Sequence, residues 1–225
     1  MTLVIAILIA TGCIVVAEPR LLGRSWPGQL LSAGAGIGIS YVVLHLLPEL
    51  ARGVGTISDG LTADLPTAEV LVYGLVLVGI LGTLALRAVQ KGRHGLQPHP
   101  RVRLLQPALS ALIVGYLLAV RDDPEIQPVL VFGLAIGLHV VLNAHALATK
   151  LSSPLGGVAL AGALAAGFLL GTVAQAPEAW VAGITALLAG GVMTRTIHEL
   201  LDEDRQLAAL TAGAALEGAL LLLLF

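Results

Sequence analysis

Long apolar runs separated by short polar stretches set the pattern of this chain. Eight segments come close to the ~20 mostly apolar residues that a helix needs to cross a bilayer. They are Thr2–Ala17, Pro27–Leu50, Ala68–Val89, Leu104–Val120, Val129–Leu151, Pro154–Val173, Ala179–Leu201 and Leu207–Phe225, the first and fourth being the shortest. The runs are continuous rather than alternating, which predicts spanning helices and excludes a β-barrel. The expected fold is an all-α polytopic membrane protein of eight transmembrane helices. It forms one domain over 1–225, because the spans leave no room for a second.

Composition sharpens this. Of 225 residues, 57% are hydrophobic and only 12% charged, too few for the polar shell of a soluble domain. A net charge of −2 offers no basic footprint for nucleic acid. The lone Cys13 rules out an internal disulfide and a cysteine metal cage. No Lys or Arg precedes the first apolar run, so that run lacks the charged start of a signal peptide and reads as a retained span.

Basic residues orient the spans. Arg20 and Arg24, then Arg87, Lys91, Arg93, Arg101 and Arg103, then Lys150, then Arg205 fall at every other connection. The remaining connections hold only Arg52 and Arg121, beside Asp59, Asp64, Asp122, Asp123, Glu125 and Glu178. Basic connections stay cytoplasmic, so both termini are expected outside, with 90–103 a basic cytoplasmic loop in an inner (plasma) membrane.

Ala35–Glu49 reads AGIGISYVVLHLLPE and Ala189–Glu203 reads AGGVMTRTIHELLDE, at a constant offset of 154 residues. Ala35/Ala189, Gly36/Gly190, Leu46/Leu200, Leu47/Leu201 and Glu49/Glu203 are identical. The two spans run in opposite directions across the bilayer. This suggests an inverted repeat of spans 1–3 and 6–8, the architecture of many secondary transporters.

Here the chain resembles the ZIP (zinc- and iron-regulated transporter-like) family. Ala35-Gly36 and His45-Leu46-Leu47-Pro48-Glu49 resemble the family's second-span motif. Ala189-Gly190-Gly191-Val192-Met193 and His198-Glu199-Leu200-Leu201-Asp202-Glu203 resemble its seventh, more loosely. Lys91–His99 is similar to a shortened form of its His-bearing loop. The resemblance implies eight spans, both ends outside, and transport of a divalent cation such as zinc. The chain departs from the family in spans four and five. Gly115–Val120 offers Tyr116 as its sole candidate ligand, and Leu138–His145 carries no carboxylate. Any metal is therefore expected to bind weakly and singly.

His139 and Asn143, four residues apart, are about 40° apart around a helix and share a face. Imidazole suits zinc and similar ions; a helix-gluing hydrogen bond is the plainer alternative. His145 falls on another face and reads as interfacial. His45 and Glu49 repeat the four-residue spacing, and Pro48, lacking an N–H, frees the Leu44 carbonyl. Together they suggest an outer cation vestibule, or else a kinked helix end. His198, Glu199, Asp202 and Glu203 would form an acidic cytoplasmic mouth or simply solvated charge. Arg195, deep in span seven, needs a partner; an ion pair with Glu217 of span eight is expected, with Glu199 as second acceptor.

The leading expectation is ZIP-like divalent-cation transport. The alternative is a non-transporting ZIP-fold protein, a structural or regulatory subunit of a membrane complex. Expected partners are the bilayer, a divalent cation, and a second copy or a membrane complex. No motif supports an enzyme.

Overall fold

The computed structural model describes residues 1–18, 20, 28–91, 100–121, 126–200 and 206–224. Every regular element among them is a helix. They are α1, Thr2–Val16; α2, which runs Gly28–Tyr41, passes through a π turn at Val42–Leu46 and continues as Leu47–Leu61; α3, Leu65–Lys91; and α4, Pro100–Val120. Then come α5, Ile126–Leu151; α6, Leu155–Val173; α7, Glu178–Leu200; and α8, Leu207–Leu224. Ser32–Leu61, Leu65–Val89, Leu155–Val173 and Glu178–His198 are long and apolar enough to cross a membrane, and Thr2–Val16, Leu104–Val120 and Leu207–Leu222 are shorter apolar helices. Large apolar side chains such as Leu8, Val70, Leu169 and Leu222 point outward. Contiguous apolar surface on that scale is compatible with a lipid surround.

Helix boundaries differ from the sequence pattern in two places. The apolar run ends at Leu50, yet α2 continues to Leu61. Its last turns are amphipathic: Leu50, Val54 and Ile57 pack inward while Arg52 and Asp59 face out, so packing sustains the helix where apolar content fails. The segment 90–103 is not wholly a loop. α3 reaches Lys91 and α4 begins at Pro100, and 92–99 lie outside the described residues.

The most extensive pairings are α4 with α6, α2 with α8 and α3 with α7. Small residues let helix backbones approach closely, and glycines mark the tight contacts in these pairings. A Cβ at Gly36 would meet Leu210 O and Ala214 N, and one at Gly213 would meet Ala33 O. The α3–α7 contact is built alike: Gly190 lies on Val76 O and Ile80 N, and Gly79 on Leu187 O. Elsewhere Gly115 lies on Leu164 O, Gly167 on Leu112 O, and Gly157 on Cys13 O. These contacts sort the helices into two blocks. One contains α2, α3, α7 and α8. The other contains α4 and α6 with α1, which also lies against α5.

Candidate functional site

Two polar-lined cavities among the described residues open at the seam between the blocks, one at each end. The first, about 600 Å³, lies where α2, α3, α4 and α7 meet and is lined by Glu49, Arg52, Arg121, Gln175, Glu178 and Thr185 among others. Its centre is an ion pair across 72 residues of sequence. Arg121 Nη2 donates to Glu49 Oε1 at 3.1 Å. The second carboxylate oxygen, Glu49 Oε2, lies 3.6 Å from His45 Nε2. Below it the His45 ring stacks on Tyr41, with centroids 5.2 Å apart.

Local structure explains why His45 turns inward. The Leu47 N–H bonds to Val42 O, five residues back rather than four. The discontinuity expected at Pro48 is thus taken up one turn earlier, as a π turn that contains His45. Such single wide turns are a recognised cause of helix bending and are frequent at functional sites. Several buried polar atoms around this stretch have no hydrogen-bond partner among the described residues: Tyr41 Oη, Glu49 Oε2, Thr196 Oγ1 and Glu217 Oε1.

The second cavity, about 490 Å³, lies at the other end among α3, α4, α5 and α7. Asn143 lines it, together with Arg87, Gln106, Lys150, Arg195 and His198. His198 donates its Nδ1–H to Thr194 O at 2.9 Å, which leaves Nε2 as its remaining polar atom.

A scan against protein-family models finds no match to this chain, and a search of curated proteins finds none either.

The candidates named from sequence therefore separate. His45 and Glu49 come together at one end, whereas Asn143, Arg195 and His198 line the cavity at the other. His139, one turn from Asn143 on α5, is half-buried. Glu217 is buried on α8, and Arg195 is among the residues lining the second cavity. The side chain of Glu199, with Asp202 and Glu203, lies outside the described residues. Tyr116 is occupied structurally. Its hydroxyl donates to Ala174 O at 3.2 Å and accepts from Ala176 N at 3.1 Å, holding the α6–α7 connection against α4. His145 lies 3.4 Å from Val16 O and ties α5 to the end of α1.

Arg121 was not among the sequence candidates. Its signal was present nonetheless: Arg52 and Arg121 are the two bases that break the alternation of basic connections, and both line the first cavity.

Chemically, the first cavity presents a carboxylate beside resident guanidinium groups, and a buried imidazole approaches that carboxylate from behind. The second presents positive charge and amide groups.

Proposed function

We propose that this chain is a ZIP-like membrane transporter of a divalent cation, zinc or a similar ion. The observation that carries this is the approach of His45 Nε2 to Glu49 Oε2, 3.6 Å apart, with Glu49 lining the first cavity and His45 buried beside it. Two ligands held about 2.0–2.1 Å from one tetrahedral ion are themselves about 3.3–3.4 Å apart. The pair is therefore spaced for a shared cation, with Arg121 standing in as counter-charge. Two ligands from one helix and no bridging carboxylate imply weak, single-ion binding.

The packing supports the inverted-repeat reading. Gly36 and Gly190 stand 154 residues apart, as do Ala33 and Leu187, and each pair makes the same kind of backbone contact. The partners keep a second constant offset: Val76, Gly79 and Ile80 lie 134 residues before Leu210, Gly213 and Ala214. A relation that maps α2 on α7 also maps α3 on α8. The seam between the two blocks suits alternating access by movement of one block against the other. In this reading the Glu49 cavity faces outside and the Asn143 cavity faces the cytoplasm.

Uptake of zinc into vesicles holding the purified chain and a trapped fluorescent indicator tests the proposal. Wild type should exceed empty vesicles, and His45→Ala or Glu49→Gln should lower the rate at least tenfold. Wild-type uptake equal to that of empty vesicles would defeat it.

One observation favours a second reading, a non-transporting ZIP-fold subunit: Arg121 already neutralises Glu49. If Arg121→Gln binds zinc and wild type does not, the guanidinium has replaced the metal and this second reading holds.

A further inference from the structure

The second cavity has a chemistry that cation passage does not use. Arg87 at the end of α3, Lys150 at the end of α5, and Arg195 and His198 on α7 all line one space of about 490 Å³. Gln106 of α4 and Asn143 of α5 add amide donors, and no carboxylate lines the cavity among the described residues. Three permanent cations are drawn to one place from three helices. Arg87, Lys150 and Arg195 each also hold a contact within the protein, so what matters is their convergence on one volume.

We infer that this cavity is a binding site for a phosphate group. Guanidinium forks and an ammonium suit phosphate oxygens, and Arg does so bidentately. A planar carboxylate would meet donors in one plane. A tetrahedral phosphate presents oxygens in several directions, matching donors that arrive from α3, α4, α5 and α7. His198, whose Nδ1–H is committed to Thr194 O, lines the same space. The phosphate can come from two sources, the headgroup of an anionic phospholipid or free inorganic phosphate. The inference does not depend on metal transport, because none of its residues belongs to the His45–Glu49 pair.

The test uses the full chain in lipid nanodiscs and measures thermal unfolding. One arm adds inorganic phosphate to phosphatidylcholine discs, against chloride at equal ionic strength. The other compares phosphatidylglycerol discs with phosphatidylcholine discs. A rise of several degrees in the first arm assigns free phosphate, and a rise in the second assigns the lipid headgroup. In either case Lys150→Gln and Arg195→Gln should weaken the apparent affinity at least tenfold, Arg195→Lys should retain part of it, and Arg52→Gln, at the other cavity, should behave as wild type. No rise in either arm overturns the inference. So does a rise that survives unchanged in both Lys150→Gln and Arg195→Gln, since the anion is then held elsewhere. Should those two variants fail to fold, Arg195→Lys and the wild-type arms still decide the outcome.

Discussion

Glu49 has a divided role, with one oxygen held by Arg121 and the other turned to His45. Both members of the ion pair are largely shielded from solvent, so losing one strands the other charge. A hydrogen bond to a charged group contributes about 1.5–3 kcal/mol. Glu49→Gln and Arg121→Gln should each destabilise the protein by about that amount in thermal or denaturant unfolding in detergent. The double variant should lose less than the two singles added together. Additive losses would mean that the pair carries no stability of its own. The His45–Glu49 neighbourhood was legible in sequence because four residues bring side chains to one helix face. The Arg121 contact was not, since it depends on how α2 and α4 approach across 72 residues, and no local pattern encodes that.

Among the elements, helices were the most legible feature, because uninterrupted apolar runs leave the backbone no partner in lipid but itself. The π turn was hidden. An i→i+5 turn changes no apolar periodicity strongly, and Pro48 announces a discontinuity without giving its place. Glycine positions were visible as small-residue patterns, but only the packed structure separates those that touch backbone from those that do not. Gly36 and Gly190 lie on the backbone of a neighbouring helix, while nothing lies within 4 Å of a Cβ placed on Gly74. Gly36→Ala and Gly190→Ala should therefore cost about 1–3 kcal/mol or more through overpacking. Gly74→Ala should be neutral or slightly stabilising, since alanine is the better helix former. Unfolding midpoints of the three variants check the contrast, and equal effects would show that the close approaches do not hold the blocks together.

For the molecule as a whole, orientation follows from where basic groups gather. In a Cys13→Ala background, cysteines placed singly at Asp59 and Gln175 should react with a membrane-impermeant thiol reagent on intact cells. Cysteines at Arg20 and Ser152 should react only after the membrane is opened. The opposite pattern would reverse the orientation and exchange the facing of the two cavities. The same experiment bears on ligand access, because the Glu49 cavity and the Arg195 cavity then meet different solutions.

The two blocks do not follow the order of the chain. Synthesis makes α2 and α3 early, but their tight glycine partners lie on α8 and α7. Gln206 N–H, at the start of α8, bonds back to Ser32 Oγ of α2 at 3.0 Å. During translation the face of α2 around Gly36 must therefore wait for its partner until α8, the last helix, has been made. Assembly completes from the last helix inward. A nascent chain stalled before α8 would leave this face of α2 uncovered, the kind of transiently exposed surface that makes an unfinished chain prone to aggregate.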